Sequence, residues 1–145
     1  MLIFVMNPTA GGGKAAAVMD ALGRLLRQRG VAYEVLRTEA AGDGERLARQ
    51  AAARGDCDAV VSVGGDGTAY EVASGMLDSG KPMGLIPCGT GNDFIKSLNY
   101  PKDPARALEL VLKGQAKPVD LVTLNDRCFL NVSGTGFDVT VLQQA

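Results

Sequence analysis

The sequence predicts an α/β fold, a Rossmann-like parallel sheet with helices on both faces, and three observations carry that expectation. Short apolar, β-branched runs alternate with stretches of helical period, glycine-rich loops join the two, and 46% apolar content in 145 residues suffices for one buried core. Strand–helix–strand crossovers give parallel sheets covered on both faces, whose strands read as continuous apolar runs.

The elements follow in order. Met1 to Met6 (MLIFVM) is a buried strand ended by Asn7-Pro8, since proline has no N–H to donate to a central ladder. Val18, Ala21, Leu22, Leu25 and Leu26 then recur at helical spacing, and Gly30 stops that helix. Val31 to Arg37 is the second strand. Asp43 is expected to cap a helix carrying Leu47, Ala48, Ala51 and Ala52, which Gly55 ends. Ala59 to Val63 (AVVSV) is too short and too β-branched for a helix. After the glycines of 64–67, a helix from Ala69 to Asp78 is expected to bury Val72, Ala73, Met76 and Leu77. Met83 to Ile86 makes a fourth strand and Asp93 to Leu98 a short helix; Asp103-Pro104 opens another as N-cap and N1, and Gly114 closes it.

From Pro118 the texture changes. Val119 to Leu124 and Cys128 to Val132 flank Asn125-Asp126 as a hairpin, and Phe137 to Leu142 is a third strand-like run with no helix between. The expected division is an α/β domain over 1–117 and, over 118–145, the start of a truncated β-rich second domain.

Composition narrows the function. Lys plus Arg number 15 and Asp plus Glu 16, so bulk positive charge does not hold this chain on nucleic acid. No apolar run is long enough for a membrane span, and the start lacks the signature of a secretory signal, so a cytoplasmic chain is expected. Cys57, Cys88 and Cys128 form no CxxC pair, which fits reduced thiols. Histidine is absent, so acid, base or metal chemistry must use carboxylates.

Nineteen glycines exceed the usual share of ~7%, and they cluster after strands: NPTAGGG over 7–13, GGDGT over 64–68, CGTGN over 88–92 and SGTG over 133–136. Loops at the carboxyl ends of a doubly wound sheet gather along one crevice, where backbone N–H groups and helix N-termini favour phosphate. Thr68 and Thr90 add hydroxyls. A Walker A loop fails, because Pro8 and Ala15 stand where glycine and Ser or Thr are needed around Lys14. A dinucleotide fingerprint at Gly11, Gly13 and Ala16, with Glu34 for the ribose, leaves the other loops unexplained. Asp66 beside phosphate-binding amides calls for a divalent cation, magnesium being the natural one. Asp93 and Asp120 are candidates to converge with it, against the plainer readings of a helix-start carboxylate and a solvent-facing strand residue.

Asn7-Pro8 with Gly11 to Gly13, GGDGT followed by Glu71-Val72, and PCGTGNDF over 87–94 together resemble the diacylglycerol kinase catalytic-domain family, which includes bacterial lipid kinases and the sphingosine and ceramide kinases. Val119-Asp120-Leu121, Phe129-Leu130-Asn131 and Gly136-Phe137-Asp138 resemble its passage into a second domain. GGDGT alone is shared with NAD kinases and, more loosely, phosphofructokinases, whose lobe the expected fold would match.

The resemblance implies transfer of the γ-phosphoryl of ATP to a lipid hydroxyl such as that of diacylglycerol, at a membrane surface, with the lipid held mainly by the second lobe. It implies that Asn7, Thr38, Gly64, Gly65, Asp66, Gly67, Thr68, Ala69, Tyr70, Gly89, Thr90, Gly91 and Asn92 line the nucleotide site. Asp66, the catalytic candidate, would join Asp93 and Asp120 around Mg2+. Tyr70 departs from the Asn of many relatives, and no residue matches the family's downstream catalytic base, so this chain alone is expected to be inactive. The alternatives are an NAD kinase-like fragment and a noncatalytic module that binds nucleotide or self-associates.

Overall fold

The computed structural model describes residues 1–124 and 127–130. β1 (Leu2–Met6), β2 (Tyr33–Arg37), β3 (Ala59–Gly64) and β4 (Met83–Pro87) form a four-stranded sheet in the order β2-β1-β3-β4, every pair parallel. α1 (Lys14–Gln28), α2 (Asp43–Ala52) and α3 (Asp66–Gly75) are the crossovers, and α4 (Asp93–Ser97) and α5 (Pro104–Lys113) follow β4. The order reverses direction between β1 and β3, the switch point at which such sheets open a crevice.

Alternation along the strands builds three layers. Phe4, Met6, Val61, Val63 and Ile86 face α1 and α5, packing on Met19, Leu22, Leu26 and Leu108. Ile3, Val5 and Val60 face α2 and α3 through Ala48, Ala51, Val72 and Met76. Burying each large apolar side chain contributes about 1.5–3 kcal/mol relative to exposure. The α2–α3 contact is close because glycine makes it: a Cβ on Gly75 would stand 2.2 Å from the carbonyl oxygen of Glu45.

Several boundaries differ from the sequence expectation, each for a physical reason. α3 starts at Asp66, three residues before the expected Ala69, so the DGT of the glycine motif is the helix's first turn. Tertiary packing outweighs the poor helix propensity of Gly67. Leu77 lies beyond the helix and is exposed. β2 begins at Tyr33, not Val31. Asp43 is not the N-cap of α2; Gly42 is, in left-handed conformation, and the Asp43 carboxylate reaches back to accept from the N–H groups of Glu39 (2.8 Å) and Ala40 (3.0 Å). Asp103 caps α5 as expected, accepting from the Arg106 N–H at 2.9 Å, and Gly114 ends it at φ 64°.

β5 (Val122–Leu124) and β6 (Arg127–Phe129) pair antiparallel. The Cys128 sulfur lies 3.1 Å from Ser74 Oγ on α3. The expected Asn125-Asp126 turn, the SGTG loop and the strand over 137–142 lie outside the described residues. Cys57, Cys88 and Cys128 are free thiols. Among the described residues no helix is long and apolar enough to cross a membrane.

Candidate functional site

The loops after β1, β3 and β4 meet at the carboxyl edge of the sheet, and glycine is what lets them meet. Gly11 has φ 62°, and a Cβ there would stand 2.0 Å from the Cys88 carbonyl oxygen. Gly65 and Gly89 lie back to back, the Cβ position of Gly89 being 2.4 Å from the Gly65 Cα. The Cys88 N–H donates to the Gly64 carbonyl at 2.8 Å, extending the β3–β4 pairing into the loops.

Each loop is also closed on itself. Asn7 donates its backbone N–H to Val63 across the switch point at 3.0 Å, and its side-chain Oδ1 accepts from Thr9 N–H (3.0 Å) and Oγ1 (2.8 Å). Asn92, at φ 51°, accepts from the Gly89 N–H at 3.1 Å and donates to the Gly89 carbonyl at 2.6 Å. Thr38 donates its N–H to the Met6 carbonyl at 2.9 Å, holding the start of the loop after β2 on β1.

Asp66 is committed in part to structure. Its two carboxylate oxygens accept from the first N–H groups of α4, those of Asp93 and Phe94, each at 3.0 Å. Both oxygens keep a further lone pair. Asp93 is exposed and paired with Lys96 at 2.7 Å, which matches its plainer reading as a helix-start carboxylate. A Cβ on Gly91 would lie 3.3 Å from Asp66 Oδ2 and 3.6 Å from Asp93 Oδ2, so these two carboxylates flank one spot. Asp120 is exposed, and among the described residues no group of three or more Cys, Asp or Glu side chains gathers as a metal site. Two carboxylates beside one spot could meet a divalent cation, but among the described residues they do not form a prebuilt cage.

The remaining candidates divide by exposure. Gly67 and Thr90 are exposed, and a Cβ on Gly67 would meet nothing within 4 Å. Tyr70 is half-buried. Thr68 is buried, its side chain packed on Gly64. Ala69 is buried among Leu85, Phe94 and Ile95, with its N–H bonded to the Gly65 carbonyl, and serves the core.

Helix starts supply the site's polarity. Among the described residues three of the five helices have N-terminal N–H groups that donate to carboxylates: α2 to Glu71, at 2.9 Å from both Gly42 and Gly44, α4 to Asp66, and α5 to Asp103. Among the described residues no side chain accepts from the first N–H groups of α1 or α3, and these are the helices that leave β1 and β3 on either side of the switch point. Asp66 is itself the first residue of α3 but accepts from α4, and in α1 the Ala15 N–H donates to the Ala10 carbonyl at 3.4 Å, so the remaining first-turn N–H groups are what each helix turns to the crevice. Glu71 is a structural anchor to which the sequence assigns no role; its only signal is its place three residues after GGDGT.

An open parallel sheet with glycine loops gathered at its switch point is the class of α/β domain whose ligands sit at the carboxyl edge. Residues 1–124 match the family model described as diacylglycerol kinase catalytic domain, and the chain belongs to that family. It is 35% identical over 135 residues to the diacylglycerol kinase of Bacillus subtilis, covering 91% of this chain and 44% of that protein. It is 39% identical over 123 residues to a Cronobacter sakazakii protein named Probable lipid kinase YegS-like, covering 81% of this chain and 41% of that one. A crystal structure titled as a diacylglycerol kinase from Bacillus anthracis superposes with TM-score 0.77 at 31% identity, over 90% of this chain and 45% of the other. The chain thus spans less than half the length of these relatives.

Proposed function

We propose that this chain is the nucleotide-binding part of a lipid kinase that moves the γ-phosphoryl of ATP to a lipid hydroxyl with magnesium. The observation that supports the reading most is the distribution of helix caps. Carboxylates accept from the starts of α2, α4 and α5, whereas among the described residues none accepts from the first N–H groups of the helices flanking the switch point. Phosphoryl transfer depends on positioning and charge neutralisation more than on covalent protein chemistry. In this reading the N–H groups at the starts of α1 and α3 hold the phosphates, and Gly67 leaves them room. Asp66 and Asp93 meet the magnesium through the lone pairs that α4 and Lys96 do not use; magnesium, when bound, neutralises phosphate charge. The diacylglycerol kinase and YegS-like names of the relatives supply the lipid alcohol as substrate.

The residues over 118–145 are then the beginning of the part that meets lipid at a membrane surface, and self-association of this chain is a further proposal, read by light scattering as a mass that rises with concentration. Calorimetric titration with ADP tests the nucleotide reading. It predicts saturable binding that strengthens with magnesium and no response to NADH; NADH binding without ADP binding would overturn it.

A further inference from the structure

The Glu71 carboxylate does more than satisfy a helix start. It lies on α3, whose first turn faces the crevice, yet its Oε1 and Oε2 accept from Gly42, the N-cap of α2, and from Gly44 in the first turn of α2, each at 2.9 Å. The segment 38–44 is tied from its own side by Asp43, which accepts from Glu39 and Ala40, and by Thr38 N–H on Met6. Asp43 in turn is held by Arg46 at 2.9 Å. Of these ties, Glu71 is the one that joins the segment to α3. The fit is close: a Cβ on Gly44 would stand 2.6 Å from Glu71 Oε2 and 2.9 Å from Glu71 Cβ.

The position of this segment matters because of what closes the opposite side of the crevice. Towards β4, the Gly65–Gly89 and Gly11–Cys88 approaches and the Asp66 bonds to α4 leave the loops in direct contact. Towards β2, the Thr38 N–H on the Met6 carbonyl carries the edge strand's pairing one residue further, so the segment it begins borders the crevice on the side away from α4. On the nucleotide reading, phosphates at the start of α3 leave that side, away from the closed β4 side, for the nucleoside end.

We infer that Glu71 is a positioning residue that fixes the 38–44 segment against α3 and so sets how the nucleoside end, as distinct from the phosphates, is held. This rests on the nucleotide reading proposed above.

The test compares ADP with inorganic pyrophosphate on the full chain. Glu71→Gln keeps size but leaves one acceptor oxygen for two N–H groups, and Gly44→Ala drives the same side chain off its partners from the other end. Both variants should weaken ADP by about tenfold, the scale of one charge-assisted hydrogen bond, and leave pyrophosphate affinity within about twofold. Amide hydrogen exchange should quicken over 39–44 and stay unchanged in β1 and β3. A general loss of structure would weaken both ligands together and would overturn the inference, as would unchanged ADP affinity in both variants. If the unmodified chain binds neither ligand, the nucleotide reading itself falls and this inference with it. If it binds both and the variants show no split between them, only the role of Glu71 falls.

Discussion

Gly89→Ala perturbs the place where two loops depend on having no side chain between them. The new Cβ would stand 2.4 Å from Gly65 Cα, 2.8 Å from Asn92 Oδ1 and 3.2 Å from Gly65 N. Ordinary contact begins near 3.4 Å, so the two backbones must part by about 1 Å. The nearest atoms are main chain, and no rotamer change relieves them. Overpacking of this kind destabilises by about 1–3 kcal/mol, and disturbing the Asn92–Gly89 bonds adds about 1 kcal/mol. Together these give about 2–4 kcal/mol. Urea unfolding followed by far-UV circular dichroism reads this as a lower midpoint with an unchanged slope. The same shift moves the start of α3 away from loop 88–92, so ADP binding should weaken as well. For the unfolding measurement Gly67→Ala is the matched control: its Cβ meets no protein atom within 4 Å, and replacing glycine within a helix stabilises by about 0.5–1 kcal/mol. Equal unfolding midpoints for Gly89→Ala and the unmodified chain would refute the loop contact described here.

Asp66→Asn leaves one acceptor oxygen for the two α4 N–H groups and removes the charge; it should cost about 1–3 kcal/mol and reduce the magnesium dependence of ADP binding, both measurable by unfolding and calorimetry. Arg46 and the N–H groups of Glu39 and Ala40 hold the Asp43 carboxyl down at about 2, below its ordinary 3.8. Because the folded value is the lower one, the stabilisation is complete above about pH 4 and is lost as pH falls towards 2; Asp43→Asn should therefore be less stable than the unmodified chain at pH 6, with the gap closing below pH 3. Burial pushes the Cys88 thiol up to about 11 from 9.0. At pH 8 its thiolate population is about a hundredfold below that of a free cysteine, so peptide mapping after alkylation should find Cys88 labelled far more slowly than glutathione.

The sheet was legible because its strands carry their own signature. MLIFVM and AVVSV are too short and too apolar for surface helices, and Phe4 and Ile3 do go to opposite layers. Asp103-Pro104 marked α5 because N-cap and N1 chemistry is local. The start of α3 was not legible: Gly67 argues against helix by propensity, and only the packing of Thr68 on Gly64 reveals the first turn. Asp66 was readable as the residue that stands out in GGDGT, yet its bonds to α4 span 27 and 28 residues, which no spacing rule reports. Glu71 escaped for the same reason, its partners lying 29 and 27 residues earlier. Asp43 was read as a cap from residue type alone, whereas a left-handed Gly42 takes the cap position and frees its carboxylate to turn back.

The central claim is that the starts of α1 and α3 receive phosphate. Amide chemical-shift mapping of the 15N-labelled chain with magnesium and ADP tests it most directly. The account predicts saturable shifts largest over residues 11–16 and 66–69, reproduced over those residues by pyrophosphate and lost when both ligands are omitted. Shifts centred on the starts of α2 and α5, with the α1 and α3 amides unmoved at saturation, would contradict it.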